Sequence, residues 1–294
     1  MTMQRAQPWL GTLVDIAASA PDQGALSAAI DRAFARVAAI HAVMGFHDAA
    51  SELSQVNRNA THDWVPLSAD LARVLAAACE FAHASNGAFD PSIAPWLVAS
   101  GQLPRHDGCA NYASPDWRAI ELDGDRVRFT QPLLLDLGGI AKGYAVDAAL
   151  AVLHDAGLTR ARVNAGGDLA RFGDTAAPVR VRHPLHPTQM LQLAELQNGA
   201  VATSAGYYQN GASPLRHPGS GAELCRHDSI SVFAPDCMTA DALTKIVAAE
   251  PTRAPALLAP HHAQALRLAV ENDTLTLTAC DGSGWHKIFN EAAA

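Results

Sequence analysis

Apolar positions in the first third of the chain mostly follow helical spacing. Residues 10–18 alternate apolar and polar side chains, which predicts an opening strand. Beyond them, apolar residues recur three and four positions apart, as in an amphipathic helix. Helices are therefore predicted over residues 25–44, from near Ser51, and from an N-cap at Ser68 to about Ser85, where Asn86 and Gly87 supply left-handed stop geometry.

Strand-like patterns dominate the remainder of the chain. From Trp117 the pattern becomes strand-like, and two apolar runs around Asp123-Gly124-Asp125 predict a hairpin over 118–130. The apolar segment 133–136 is expected to continue its sheet. Helices are predicted over 140–156, stopped by Gly157, and over 239–249. The other predicted strands cover 162–172, 179–183, 191–195, 200–204 and 229–234, with a final hairpin over 264–279 around residues 271–273.

This order of elements indicates a fold class. Because helices cluster early and strands late, the pattern is typical of an α+β fold with a large mixed or antiparallel sheet and flanking helices. The hydrophobic content of 49% is enough for a substantial core. We expect a single domain over residues 1–294, helix-rich to about residue 115 and sheet-rich from about residue 116.

Charge narrows the classes of partner. The net charge is -8, and no run of Lys and Arg is interleaved with aromatic residues, which argues against nucleic acid. An anionic ligand would have to be bound locally, by backbone N–H groups, a helix N-terminus or a bound cation.

Cysteine usage and the N-terminus bear on the compartment. The five cysteines are odd in number and form no CxxC, which argues against a disulfide framework and a zinc knuckle. No leader-like apolar region opens the chain, and no stretch reaches the roughly 18 apolar residues of a membrane span. We therefore expect a cytoplasmic protein without a membrane span, or a periplasmic one if a leader was removed.

The strongest chemical signal is the segment DLGGIAKGYAVD, residues 136–147. An apolar run ends in Asp136 and two glycines, and a helix begins at once, which favours approach of a diphosphate to backbone N–H groups. Lys142 in the first turn adds a donor. The pattern is neither GxGxxG nor GxxxxGK[ST]. The alternative is a purely structural turn.

Two further turns carry polar groups that suit a nucleotide. NAGGD, residues 164–168, places Asp168 after a glycine pair, and Thr203 ends another strand before Ser204 and Gly206. A tight hairpin with Asx hydrogen bonding is the alternative for the first, and a hydroxyl-stabilised turn for the second.

An aromatic loop and an acidic helix complete the candidates. Phe89 and Asp90 precede two prolines, so a rigid loop offers a ring and an acceptor to a purine or flavin, unless Phe89 only fills the core. Asp241, Thr244 and Lys245 share one helical turn, where oxygen ligands could hold Mg²⁺. The alternative is a helix start, with Thr239 as its N-cap. Neither histidine spacing nor a GxSxG frame indicates a zinc site or a serine hydrolase.

Eight segments in order carry a family resemblance: Leu10-Gly11-Thr12, Met44-Gly45-Phe46, residues 51–54 with Asn57, GAFDPSIAPW, DLGGIAKGYAVD, NAGGD, ATSAGYY and TADALTK. From about residue 9 to 250 the chain resembles the ApbE family of FAD:protein FMN transferases. The resemblance implies an α+β fold with a flavin site between two lobes and Mg²⁺ at the diphosphate. It further implies transfer of FMN from FAD to a Thr or Ser of an acceptor protein, with release of AMP.

The resemblance also implies roles for individual residues. The predicted FAD contacts are Leu10, Phe46, Ala88, Phe89, Asp90, Asp136, Lys142 and Leu215, with Asp168 and Thr203 as further candidates. The predicted metal ligands are Asp241, the carbonyl group of Gly139, and Thr244.

Two positions depart from the family pattern. Lys245 stands where the family has a metal-binding Thr, so an ammonium could replace the cation, and Thr244 lies one place earlier. Residues 214–221 replace a His-Ile-Ile-Asp-Pro segment tied to activity, and His217 is the candidate substitute. Asp241, Lys245 and His217 are therefore the predicted catalytic residues. Two alternatives to transfer stay open: an FAD-binding or maturation protein that has lost catalysis, and a Mg²⁺-dependent FAD pyrophosphatase.

Overall fold

The protein is described by a computed structural model over residues 1–106, 112, 114–184, 186, 188–206, 215–225, 228–271 and 274–292. Its strands are β1 (Thr2–Trp9), β2 (Thr12–Ser19), β3 (Val65–Pro66), β4 (Ile120–Asp123), β5 (Arg126–Phe129), β6 (Arg160–Ala165), β7 (Asp168–Phe172), β8 (Ala177–Arg182), β9 (Met190–Leu196), β10 (Gly199–Ala205), β11 (Ser229–Ala234), β12 (Gln264–Glu271), β13 (Thr274–Asp281) and β14 (Gly284–Ala292). Its α-helices are α1 (Gln23–Met44), α2 (Glu52–Asn59), α3 (Ala69–Ser85), α4 (Ala94–Ala99), α5 (Ala141–Asp155), α6 (Cys237–Ala249) and α7 (Ala254–Leu258).

The strands form one large sheet and two small ones. Nine strands pair antiparallel in the order β1-β2-β6-β7-β10-β11-β12-β13-β14. The small sheets have the orders β3-β5-β4 and β8-β9, also antiparallel. The predicted α+β class with a large antiparallel sheet and flanking helices is confirmed. No helix in the described part of the chain combines the length and apolar character that crossing a bilayer requires.

Helices α2 and α3 have the capping groups that the sequence indicates. The Ser51 hydroxyl accepts from the backbone N–H of Ser54 at the start of α2, and Ser68 does the same at the start of α3. Asn86 ends α3 in the left-handed conformation, with φ of 55°. Local sequence thus fixes where these helices begin and end.

Two large apolar clusters account for most of the interior in the described part of the chain. One joins the first strands of the large sheet to α1 and α5, through residues such as Ile16, Ile30 and Val163. The other joins α2, α3 and the small β3-β5-β4 sheet to α5, α6 and the middle of the large sheet. Helices α5 and α6 contribute to both clusters. The functional segments are therefore carried on rigid, buried elements.

Several elements differ from the prediction. Strands β1 and β14 and the short helix α7 were not predicted; in β1 half-buried and exposed residues alternate without the clear apolar period that marks a buried face. Residues 133–136 are not a strand of the β3-β5-β4 sheet, because they hydrogen-bond elsewhere. The Asn57 side chain pairs with the N–H and C=O of Leu135, at 2.7 and 3.0 Å, and Asp136 N–H donates to the Pro91 carbonyl group at 2.8 Å.

A predicted strand and the start of a predicted helix also differ from the sequence-based expectation. The segment predicted as one strand over 162–172 is a hairpin, β6-β7, whose turn at Gly166-Gly167 is held by the Asn164 side chain. Helix α6 begins earlier than predicted, because Asp236 rather than Thr239 caps it, accepting from Thr239 N–H at 2.8 Å. The final hairpin, β12-β13, is as predicted, while Asn272 and Asp273 of its turn lie outside the described residues.

Candidate functional site

A pocket opens where four segments meet: the loop after α3, the turn before α5, helix α6 and residues 215–224. It encloses about 410 Å³ of space, its open mouth included. Its lining includes seven of the residues predicted for the site: Ala88, Phe89, Asp90, Asp136, Gly139, Leu215 and Lys245. These residues come from parts of the sequence up to 157 positions apart, from Ala88 to Lys245, so only the fold brings them together.

The loop after α3 forms one wall of the pocket. Phe89 is 5% exposed and belongs to the main core, so it both fills the interior and lines the pocket. Asp90 holds the loop in place, since its carboxylate accepts from the N–H and hydroxyl of Ser92, at 2.8 and 2.6 Å, and from Trp117 N–H at 3.3 Å. Burial raises the pKa of Asp90. The wall is therefore rigid before any ligand arrives.

The glycine turn, residues Asp136 to Gly139, forms the floor. Its N–H groups are less available than the sequence predicts. Gly138 N–H donates to the Asp136 carboxylate at 3.1 Å, and the N–H groups of Ile140 and Ala141 donate to the Leu137 carbonyl group at 3.0 and 2.8 Å. Burial raises the pKa of Asp136 to about 6. A diphosphate at this turn would therefore depend on side-chain cations as well as on backbone donors.

Beside the floor lies a group of four charged residues, the lysine–aspartate cluster of Lys142, Asp168, Asp241 and Lys245. The Lys142 ammonium contacts Asp168 and lies 3.8 Å from Asp241 Oδ2, while the Lys245 ammonium contacts Asp241 Oδ1. Both carboxylates are buried, with side-chain exposures of 2% and 0%. The lysines are 31% and 18% exposed. The negative charge of the two buried aspartates is thus matched by two lysine side chains that are only partly exposed.

The pKa values in the cluster follow from these pairs. Burial alone would raise the pKa of Asp241, but the nearby Lys142 and Lys245 ammonium groups outweigh it and the pKa is lowered. For Lys142 burial acts downward, yet Asp168 and Asp241 hold the pKa above its usual value. Burial dominates at Asp168, whose pKa is raised. Asp241 is therefore the firmly ionised carboxylate of the cluster.

The N-terminal turns of α5 and α6 cross directly below the cluster. Gly143 allows the close approach, because a Cβ there would lie 2.3 Å from the Cys237 carbonyl oxygen. Gly143 N–H donates to Asp241 Oδ2 at 3.1 Å. The Asp147 carboxylate accepts from the N–H groups of Cys237 and Met238, both at 2.8 Å. This crossing fixes Asp241 against the start of α5.

Hydroxyl groups continue the site into the large sheet. The Thr244 hydroxyl donates to the Asp241 carbonyl oxygen at 2.7 Å and lies 2.8 Å from the Ser204 hydroxyl. Thr203, the other hydroxyl predicted for the site, pairs with Ser231 across β10 and β11 at 2.8 Å. Both threonines are therefore engaged in contacts between α6 and the sheet or within the sheet.

The residues around Asp241 do not fit a magnesium ion as they are arranged here. Such an ion takes about six oxygen ligands in near-octahedral geometry. Asp241 Oδ1 already contacts the Lys245 ammonium, Asp241 Oδ2 accepts from Gly143, and the Thr244 hydroxyl is bonded within the helix and to Ser204. Nor does the described part of the chain contain a group of three or more His, Cys, Asp or Glu side chains placed to hold a metal.

Residues 215–224 cover the pocket as a hairpin-like loop. Leu224 N–H donates to the Leu215 carbonyl group at 3.0 Å, and the Trp96 indole N–H of α4 donates to the Pro218 carbonyl group at 2.9 Å. His217 lies between the pocket-lining residues Arg216 and Pro218, and its Nδ1 accepts from Gly219 N–H at 3.2 Å. Pro214, the first residue of the aligned segment, lies outside the described residues, as do Tyr207 and Tyr208 of ATSAGYY.

Phe46 and Leu10, two of the predicted FAD contacts that are absent from the pocket lining, lie in other parts of the fold. Phe46 is 4% exposed and packs with Ala94 and Leu134, with its carbonyl oxygen 2.6 Å from His106 Nε2. Leu10 forms the β1-β2 turn with a φ of 56°, a left-handed conformation that is strained for a leucine, and is partly buried against both apolar clusters. In this structure Phe46 is a core residue and Leu10 is a turn residue.

Four lining residues were not predicted: Ile93, Arg216, Pro218 and Leu224. Three of them belong to the loop 215–224, where the glycine at position 221 packs closely against Trp96. Gly221 has a φ of 67°, and a Cβ there would lie 2.9 Å from the Trp96 ring. The glycine alone, between Ser220 and Ala222, does not reveal this contact without the fold. Arg216 adds a guanidinium group to the lining, and it lies 3.9 Å from Glu223.

Comparison with known proteins agrees with this geometry. The sequence model of the ApbE family matches residues 10–267. The chain is similar to an FAD:protein FMN transferase of Chlamydia pneumoniae, 27% identical over 251 residues, covering 78% of this chain and 77% of the relative. It is similar to another of Haemophilus influenzae, 26% identical over 255 residues, covering 76% and 74%.

Solved structures share the fold. The flavinyl transferase ApbE of Pseudomonas stutzeri, in its apo form, superposes with a TM-score of 0.80 at 20% identity, covering 95% of this chain and 94% of that chain. The ApbE protein of Thermotoga maritima superposes with a TM-score of 0.78 at 22% identity, covering 98% and 97%. At these identities the likeness shows the arrangement of elements.

Proposed function

This chain belongs to the ApbE family, and we propose on that basis that it transfers FMN from FAD to a Thr or Ser of an acceptor protein. The products are a phosphoester-linked flavin on the acceptor and free AMP. The observation that carries the proposal is the pocket in which Phe89, the glycine turn and the lysine–aspartate cluster converge.

Each part of the pocket has a role in holding FAD. We assign ring contacts to the wall formed by Ala88, Phe89 and Asp90, because it offers an aromatic surface and a fixed acceptor. The diphosphate is assigned to the glycine turn, beside Lys142 and Lys245. Leu10, Phe46, Asp168, Thr203 and Leu215 remain the further proposed contacts or supports.

The reaction is a phosphoryl transfer. The acceptor hydroxyl oxygen forms a bond to the phosphorus atom of the FMN half, and the bond from that phosphorus to the bridging oxygen breaks. AMP leaves with the bridging oxygen, and the hydroxyl proton passes to a base. Such a reaction depends on positioning and on neutralising the charge of the diphosphate. We propose His217, on the loop that covers the pocket, as the base; the proton would go to its Nδ1, which here accepts from Gly219 N–H.

The cation beside Asp241 is the open part of this proposal. In one version, which requires Lys245 to move off Asp241, the side chains of Asp241 and Thr244 and the carbonyl group of Gly139 would hold Mg²⁺ to neutralise the diphosphate. In the other the Lys245 ammonium supplies the charge.

For the compartment, the cytoplasm stays the prediction from the sequence, to be tested by cell fractionation.

A single assay separates transfer from its alternatives. The full chain is incubated with FAD and an extract of its own source cells, proteins are separated under denaturing conditions, and flavin fluorescence and AMP are measured. Transfer predicts a fluorescent protein band together with AMP. An FAD pyrophosphatase would release FMN and AMP without a band, and a binding protein without catalysis would bind FAD and release neither. Asp241→Ala provides the inactive control.

A further inference from the structure

We infer that the Lys245 ammonium is the fixed cation of this site, so that FAD is bound and used without a divalent metal ion. This inference rests on the proposed function, since it concerns the same diphosphate. It differs from the version in which Mg²⁺ is the cation, and it makes a separate prediction for metal binding.

The first support is where the ammonium lies. Lys245 is one residue of the pocket lining, and its side chain runs beside the glycine turn: a Cβ at Gly139 would lie 3.6 Å from Lys245 Cε. Its Nζ ends on Asp241 Oδ1, four residues earlier on the same helix. The positive charge is therefore held between the buried carboxylate and the floor of the pocket.

The second support is that Asp241 has little capacity left for a metal. One oxygen contacts Lys245, and the other accepts from Gly143 N–H at 3.1 Å with the Lys142 ammonium at 3.8 Å. A divalent ion would have to displace Lys245 and then remain beside two ammonium groups. Repulsion between like charges in a partly buried site opposes that exchange.

The third support is the position of Thr244. A hydroxyl one residue before Lys245 points about 100° away around the helix axis, because an α-helix has about 3.6 residues per turn. The Thr244 hydroxyl is bonded to the Asp241 carbonyl oxygen and to Ser204. It is therefore engaged on a different side of α6 from the ammonium and does not replace an oxygen ligand at position 245.

The fourth support is the composition of the chain. The sequence contains 21 Lys and Arg residues, of which only Lys142, Lys245 and Lys287 are lysines. Two of these three lie in the lysine–aspartate cluster. An ammonium is a compact point charge, closer to a metal ion in shape than the planar guanidinium group of arginine. Two of the three lysines of this arginine-rich chain thus lie beside the pocket, where a compact charge suits the place of a metal ion.

The backbone gives a reason why such a charge is needed. Most N–H groups near the glycine turn already have partners: Gly138 donates to Asp136, and Gly143 donates to Asp241. The diphosphate charge must therefore be met mainly by side chains. Among the described residues, Lys245 and Arg216 line the pocket, and Lys142 adjoins it through the lysine–aspartate cluster.

The test compares FAD binding with and without metal in the full chain. FAD affinity is measured by quenching of flavin fluorescence in Mg²⁺ and in EDTA, and Mn²⁺ binding to the FAD-loaded protein is followed by electron paramagnetic resonance. We compare wild type with Lys245→Thr, which removes the ammonium and adds a hydroxyl. The matched control is Lys287→Thr, which removes an exposed lysine of β14.

The inference predicts that wild type and Lys287→Thr bind FAD equally well in Mg²⁺ and in EDTA, with no bound Mn²⁺. Lys245→Thr is expected to lose about 10- to 100-fold in FAD affinity in EDTA, the range for a hydrogen bond to a charged group, and to recover with Mg²⁺ while binding Mn²⁺. Transfer by the wild type should persist in EDTA.

Two results would overturn the inference. One is stoichiometric binding of Mn²⁺ to the FAD-loaded wild type, together with a loss of FAD affinity when EDTA is added. This measurement needs no variant, so it is decisive even if Lys245→Thr does not fold. The other is a folded Lys245→Thr that binds FAD in EDTA as tightly as wild type. Failure to bind FAD under any condition would instead overturn the proposed function, and this inference with it.

Discussion

Helices α5 and α6 cross so closely at Gly143 that no side chain fits there, so Gly143→Ala should lower both stability and FAD affinity. In Gly143→Ala the new Cβ would lie 2.3 Å from the Cys237 carbonyl oxygen and 2.8 Å from Met238 Cα, whereas Cβ contacts below 3.0 Å are essentially never seen. The obstacle is backbone, which a rotamer change cannot relieve. The two helices must therefore separate by at least 0.7 Å, the difference between 3.0 and 2.3 Å.

The expected loss of stability follows from two opposing effects. Overpacking a well-filled site costs about 1–3 kcal/mol, and a backbone clash of this severity belongs at the upper end, about 3 kcal/mol. Replacing glycine by alanine inside a helix returns about 1 kcal/mol. The net destabilisation is about 2 kcal/mol. With an unfolding entropy of about 2.1 cal/mol/K per residue, a chain of 294 residues should melt about 3 °C lower.

The same displacement should reach the ligand site. Gly143 N–H donates to Asp241 Oδ2, so separating the helices moves the carboxylate that pairs with Lys245. We expect Gly143→Ala to bind FAD at least about 10-fold more weakly, the effect of losing a charge-assisted hydrogen bond.

Thermal melting and FAD titration together test this reasoning. Gly24→Ala is the matched control, since Gly24 also lies in a helix but its Cβ would meet nothing closer than 3.4 Å. The control should melt at or slightly above the wild-type temperature and bind FAD normally. A Gly143→Ala protein that melts and binds FAD like this control would refute the packing argument.

Three further predictions concern the same site. Asn57→Ala removes two hydrogen bonds to the backbone of Leu135 and should destabilise the fold by about 3 kcal/mol, seen as a lower urea midpoint; an unchanged midpoint would contradict it. Burial raises the pKa of Asp136 to about 6, so its carboxyl group is neutral below that pH and negative above it. A negative carboxylate repels the diphosphate, and the affinity for FAD should therefore fall as the pH rises through about 6. FAD titrations at several pH values check this, and Asp136→Asn should show no such fall. Lys142→Met leaves the buried Asp168 without its ammonium and should cost about 3 kcal/mol in thermal unfolding; adding Asp168→Asn should restore most of it, and no restoration would contradict the charge argument.

Much of the local structure could be read from residues close together in sequence. Ser51 and Ser68 mark helix starts, and Asn86 with Gly87 marks a helix end, because capping depends on groups within a few positions. The strand 229–234 was predicted with its observed bounds. Where local cues were ambiguous the prediction failed: residues 133–136 have the apolar composition of a buried strand, but the Asn57 side chain provides their hydrogen bonds.

The sequence also determined which segments matter. The order of DLGGIAKGYAVD, NAGGD and TADALTK identified the family before any contact was known, since several motifs in a fixed order are far more specific than one. It further located the departure at Lys245. What it could not give was which residues on different helices and strands become partners in the cluster around Asp241.

The tertiary structure decided those partners. Lys142 and Asp168 are 26 positions apart, and Gly143 and Asp241 are 98 apart, so their contacts depend on how α5, α6 and β7 are placed against one another. Sheet order and the close crossing at Gly143 determine that placement, and neither leaves a local pattern in the chain. The sequence thus identified the charged residues beside the glycine turn. The packing of α5 against α6 decided that Lys245 lines the pocket while the carboxylate of Asp241 is buried behind it.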